Sequence, residues 1–120
     1  MHHLEIVDLY NRGLVNFDAL PAFEKDVFVV HTLNLWYEME GTLEDFVLGE
    51  TYSDQLKWLG ETLQRIGDHG SSTIFSSLTA LSWAQRDTVA ELSEQLYDLM
   101  EPRSRLLEQY LHTQGVAVAW

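Results

Sequence analysis

Five carboxylates, Asp87, Glu91, Glu94, Asp98 and Glu101, recur at steps of four, three, four and three in the stretch DTVAELSEQLYDLME. On a helix of 3.6 residues per turn, that spacing places all five along one face. Carboxylates so arranged can serve proton transfer, metal binding or the attraction of cationic groups on another molecule. No Lys or Arg interrupts the row. Each like-charged neighbour pair costs a few tenths of a kcal/mol, so the helix must hold against roughly 1 to 2 kcal/mol of repulsion at low salt. A second acidic zone lies between Lys25 and Lys57, where no Lys or Arg falls among Asp26, Glu38, Glu40, Glu44, Asp45, Glu50 and Asp54. The residues expected to meet a partner are the five of the row together with Glu38, Glu40, Glu44, Asp45 and Glu50.

The whole chain repeats this imbalance. Nineteen Asp and Glu face seven Lys and Arg, a formal net charge of −12. Such a charge disfavours direct contact with nucleic acid or an anionic membrane and favours a basic protein as partner. The row presents a charge about every 5 Å, from a rise of about 1.5 Å per residue, whereas duplex DNA carries one per roughly 1.7 Å. A single row is too sparse to imitate DNA. Two or three rows, or a homodimer, approach its density.

The inventory for catalysis is poor. There is no cysteine, so thiol nucleophiles and disulfides are excluded and the commonest zinc ligand is missing. Ser71, Ser72, Ser76, Ser77 and Ser82 have helical or capping surroundings, and no G-x-S-x-G elbow accompanies them. The glycines at 41, 49, 60, 67 and 70 form neither a P-loop nor G-x-G-x-x-G. His31 lies in the most apolar segment, His69 in the loop DHGSS and His112 near the C-terminus, none with a second His at i+3 or i+4. His31 reads as a hydrogen-bonded core or boundary residue, and Asp68 beside His69 is a weak metal signal. Glu38 with Glu40 carries no glycosidase signature beyond what any acidic chain contains. The expectation is a non-enzyme without cofactor or metal.

Length and pattern describe the scaffold. At 120 residues and 46% hydrophobic content, the chain suits one domain over 1–120 with a substantial core. Freedom from cysteine, acids at Glu5 and Asp8 where a signal peptide would be basic, and no apolar run near the roughly 20 residues of a membrane span together point to the cytoplasm.

The expected fold is all-α, about six helices around a long central apolar one. Residues 4–12 read as a short amphipathic helix with Leu4, Val7, Leu9 and Tyr10 packed, closed by Gly13. Pro21 suits the first turn of the next helix, with Asp18 or Asn16 capping its approach. From Pro21 to about Glu40 the chain is apolar on most sides, which makes a largely buried central helix; a strand at VFVV is the lesser alternative. Thr42 and Asp45 have capping-box spacing for a short helix through Leu48. Ser53 caps a helix to Ile66, whose Leu56, Leu59, Leu63 and Ile66 form a packing stripe ended by Gly67.

Residues 72–83 give another helix. Thr88 and Glu91 form a capping box for the acidic helix, whose Val89, Leu92, Leu96 and Leu99 point inward. Pro102 bends that helix or starts a successor, in which Leu106, Leu107, Tyr110 and Leu111 pack while Arg103 and Arg105 stay outside. The apolar tail at 115–120 docks on the core, forms an edge strand or serves a dimer.

With these elements in order, the chain resembles a bacterial all-helical family described as DNA-mimic-protein-like. The resemblance covers roughly residues 3–112 and is carried by LYNRGLVNFDALPAFEKDVFVVHTLNLWYEMEG, TLEDF and LGETLQRIG, with a final helix pair around the acidic stretch. The Asn-Gly-Gly-Phe element that the family shows after its long helix is not retained; Glu40, Gly41, Thr42 and Leu43 occupy that place. The resemblance implies an all-helical fold and a dimeric acidic surrogate for DNA that occupies a DNA-binding protein. It implies no catalytic residue.

Three functions follow for test. The leading one is an acidic interaction module that binds a basic partner such as a DNA-binding regulator. The second is an immunity or antitoxin-like protein that neutralises a toxin, and the third is a small metal-dependent enzyme using His31 or His69.

Overall fold

Val27, Phe28, Val29 and Val30 follow one another in the chain, yet the computed structural model, which describes residues 2–39 and 53–119, buries all four. Burial without period marks a helix enclosed on all sides. This helix, α2, runs Ala22–Met39 and follows α1, Ile6–Asn16. After it come α3, Ser53–Arg65, and α4, His69–Thr79. The last two are α5, Arg86–Asp98, and α6, Met100–Thr113. Each packs on its neighbour in sequence, and α6 returns to lie against α2. The all-α expectation is met, with α2 in the middle of one continuous apolar core that draws on every helix.

One short sheet is added to the helices. Residues 2–5 form a strand, β1, that pairs in parallel with β2, Val116–Ala119, in the register His2 with Val116 and Leu4 with Val118. The tail therefore takes the edge-strand option. Gly115 turns α6 into β2 at φ +74, a left-handed conformation that side-chain-bearing residues resist.

The N-terminal expectation needs correction. The helix begins at Ile6 rather than Leu4, and Gly13 lies inside it. Its buried face is Ile6, Leu9 and Gly13, while Val7 is 71% exposed. Gly13 does not end the helix, because a Cβ there would stand 2.3 Å from the Phe28 ring; the missing side chain is what lets α1 meet α2. Neither Asn16 nor Asp18 caps the approach to α2; Asn16 precedes a short 3-10 turn at 17–19 without a side-chain cap bond, and Asp18 lies within that turn. Arg12 fixes the contact from the side, donating to both carboxylate oxygens of buried Glu24 at 2.8 and 3.1 Å and to Asp8 at 2.9 Å. Hydrogen bonding first to Glu24 and then to Asp8 raises the Arg12 pKa above its already high value, so the guanidinium stays charged.

The leucine stripe of α3 packs as expected, and Gly67 ends the helix in a Schellman arrangement. Its N–H reaches Gln64 O at 3.1 Å, and that of Asp68 reaches Leu63 O at 3.0 Å. The segment DHGSS is not a loop. Asp68 is the N-cap of α4, accepting from Ser71 N at 3.0 Å, so the helix starts three residues earlier than residue 72 and stops at Thr79.

The capping box belongs to Ser82 and Gln85, ahead of a 3-10 turn, rather than to Thr88 and Glu91. The short helix expected around residues 42–48 lies outside the described residues.

Candidate interaction face

Helix α5 carries the acidic row. Val89, Ser93 and Leu96 recur at four and three and are buried, with Leu92 and Leu99 partly so. The opposite side consists of Asp87, Glu91, Glu94 and Asp98, all exposed. The expectation of inward leucines and outward carboxylates holds. One detail changes: the stretch 87–101 is two helices. The ring of Pro102 collides with the carbonyl of residue i−4, which is Asp98, so α5 ends there. Pro102 itself fits the first turn of α6, where no intrahelical N–H is required. Glu101 is thus carried by α6, exposed in its first turn, while Asp87 occupies the first turn of α5. Both stand at the positive ends of helix dipoles, which offsets part of the repulsion along the row.

Among the described residues, no Lys, Arg or His forms an ion pair with any of these five carboxylates. The basic residues are engaged elsewhere. Arg12 is held by Glu24 and Asp8. Arg65 pairs with buried Asp26 at 2.7 Å and with Glu61 at 4.0 Å. Lys25 stands over the rings of Trp58 and Phe17, 4.9 and 5.5 Å from their centroids, where a cation is attracted by the π face. Arg12, Lys25 and Arg65 thus serve the joining of α1, α2 and α3, whereas Arg86 opens α5 itself, immediately before the row.

Arg103 is the main correction to the sequence expectation. It is 0% exposed, whereas Arg105, two residues on, is exposed as expected. From α6 the Arg103 guanidinium donates to Leu96 O at 3.1 Å, Ser71 Oγ at 3.2 Å and Asn34 Oδ1 at 2.9 Å. It binds the last turn of α5 to α4 and α2 from beneath the carboxylate row. The signal was present in the phase: Arg103, Leu107 and Leu111 lie at four-residue steps on the buried face of α6.

A second polar knot also went unread. Asp26 Oδ1 accepts from Trp58 Nε1, Thr62 Oγ1 and Arg65 Nη2 at 2.9, 2.7 and 2.7 Å. Only α2 brought against α3 makes this set, so no local spacing announced it.

The other expected positions divide. Glu38 is near the end of α2 with its side chain outside the described residues, and Glu40, Glu44, Asp45 and Glu50 lie outside them altogether. His31 is half-buried on α2, edge-on to Tyr10 with 5.3 Å between ring centres, in line with a boundary role. His69 is exposed at the start of α4. Among the described residues no three His, Asp or Glu come close enough to hold a metal ion, and no helix is long and apolar enough to cross a membrane. Ser71, expected at the surface or in a cap, is buried under Arg103.

No family model, curated protein or solved structure matches this chain.

Proposed function

We propose that this protein is a non-enzymatic interaction module whose carboxylate row on α5 and the start of α6 binds a basic protein. The observation that carries this reading is the row itself: four exposed carboxylates on α5 and a fifth at the start of α6, without a basic partner among the described residues. Charges of both signs interspersed on this helix would spare it the like-charge repulsion. An unmixed row retains its field for another molecule, where it accelerates encounter and selects against acidic surfaces.

The partner class that fits best is a DNA-binding protein, whose cationic surface is shaped to meet ordered negative charge. The resemblance to the DNA-mimic family points the same way. With one charge about every 5 Å along the row, occupation of a DNA site needs a second acidic surface, for which the residues from Glu38 to Glu50 or a second copy of the chain are the candidates.

Affinity capture at low salt tests the proposal, with wild-type chain on one support and the triple variant Glu91→Lys, Glu94→Lys, Asp98→Lys on another. DNA-binding proteins are expected to be retained by the wild type, released by salt and lost from the variant. Retention of the same proteins by both supports would contradict the proposal.

A further inference from the structure

Helix α1 has a second apolar face. Val7, Leu14 and Val15 are 71%, 62% and 87% exposed. On a helix of 3.6 residues per turn they lie opposite the buried Ile6, Leu9 and Gly13, with exposed Asn11 between them. The stripe from Val7 to Leu14 is about 10 Å long, from a rise of about 1.5 Å per residue. Valine is a poor choice for such positions, because a β-branched side chain loses rotamer freedom in a helix and gains no burial at the surface. Carboxylates stand at both ends of the stripe: Glu5, exposed at the N-cap, beyond Val7, and Asp18, exposed in the 3-10 turn, beyond Leu14 and Val15. Asp8 and Arg12 border one side and pair with each other at 2.9 Å.

We infer that this face of α1 is the docking site for an amphipathic helix of a partner protein, whose apolar stripe covers Val7, Leu14 and Val15 and whose Lys or Arg residues meet Glu5 and Asp18. The geometry selects a helix, since Val7, Asn11 and Leu14 follow at steps of four and three, the spacing of a helix–helix seam, over which ridges of a second helix interlock. Asn11 puts one polar group at the middle of that seam, a device that fixes register. Charge selects the flanks. A second copy of this chain, also carrying −12, would bring like charges to both ends of the stripe, whereas a basic helix meets opposite ones. The site is on a different helix from the carboxylate row and does not depend on it.

The probe is a blocked, helix-favouring peptide with leucines at alternating steps of three and four and lysines at both ends, titrated into the isotope-labelled full chain and followed by amide resonances. Saturable shifts are expected at Val7, Asn11, Leu14 and Val15, and none from a peptide of the same composition scrambled to lack an apolar face. Leu14→Gln with Val15→Gln, exposed changes whose otherwise unchanged spectrum will report an intact fold, is expected to weaken the amphipathic peptide roughly tenfold. Equal shifts with the scrambled peptide, an undiminished affinity in the variant, or no saturable shift on α1 overturn the inference. Resonances of α1 that move with protein concentration alone would assign the face to a second copy and overturn it also. Shifts confined to residues 87–101 overturn it while leaving the carboxylate-row reading in place.

Discussion

Arg103 Nη1 lies 3.1 Å from the carbonyl oxygen of Leu96, seven residues back and on the preceding helix. In the last turn of α5 the carbonyl of Leu96 accepts from the N–H of Leu99 at 3.1 Å, and Pro102 prevents the helix from continuing. The buried guanidinium gives that carbonyl a second, charged donor and places positive charge at the negative end of the helix dipole. The helix with the carboxylate row is therefore anchored from the core side at the point where its backbone stops.

Removal of that anchor is expected to be severe. Arg103→Ala removes the guanidinium from Leu96 O, Ser71 Oγ and Asn34 Oδ1, leaving Leu96 O with the Leu99 N–H alone, and opens a cavity, a loss of about 3–5 kcal/mol. Arg103→Lys keeps the charge but not the planar fork, and about 1–3 kcal/mol is expected to be lost. Urea unfolding followed by circular dichroism measures both.

Two glycines in helices are expected to respond with opposite signs. At Gly13 an added Cβ meets Phe28 at 2.3 Å, and that ring is held by Tyr10 and Phe17 at centroid distances of 5.5 Å. Gly13→Ala should cost about 1–3 kcal/mol through overpacking. At Gly60 the nearest atom is a Phe75 ring carbon at 3.6 Å, an ordinary contact. Gly60→Ala should stabilise by about 0.5–1 kcal/mol, the usual gain from replacing glycine within a helix. Thermal unfolding of the two variants decides the matter.

Asp26 gathers three donors on one oxygen, and Trp58 reports on them. Asp26→Asn keeps an acceptor but loses the charge facing Arg65, with a loss of about 1–2 kcal/mol expected. Asp26→Ala should cost more and move the indole N–H resonance of Trp58 while the other indole resonances stay in place. An unmoved Trp58 resonance would show that this bond is not formed in solution.

The row itself should be a local burden. Reversal of Glu91, Glu94 and Asp98 to Lys keeps the 91/94 and 94/98 pairs like-charged but turns the 87/91 pair attractive and reduces the magnitude of the formal net charge of −12 by six, so stability at low salt should stay level or rise by a few tenths to about 1 kcal/mol. The difference should vanish in about 1 M salt, where the screening length falls to about 3 Å. Denaturant midpoints at the two ionic strengths give the answer. A variant that unfolds more readily at low salt would mean that the carboxylates have basic partners within the fold.

Much of the fold was legible because helical periodicity is a local property. The apolar run of α2, the leucines of α3 and the two sides of α5 each follow from residues within a few turns of one another. Strand β1 was missed because its partner, β2, is more than a hundred residues away, and HHLE has no apolar alternation of its own. Two capping-box patterns were in competition after residue 81, and the one at Ser82, where the backbone is extended at φ −124 and ψ 173, prevailed over Thr88. Arg103 was misplaced because charge was weighed above phase; its step of four to Leu107 had already put it on the packed side. Within the candidate site, exposure of the carboxylates could be read from their spacing, whereas the anchoring by Arg103, Ser71 and Asn34 arises only when three distant helices meet.

The most direct test of the account is the salt dependence of affinity for a basic protein retained at low salt. The logarithm of the association constant should fall linearly with the logarithm of salt concentration, and the triple variant Glu91→Lys, Glu94→Lys, Asp98→Lys should bind more weakly with a shallower slope. An affinity that is unchanged by salt, and equal for wild type and variant, would contradict binding through the carboxylate row.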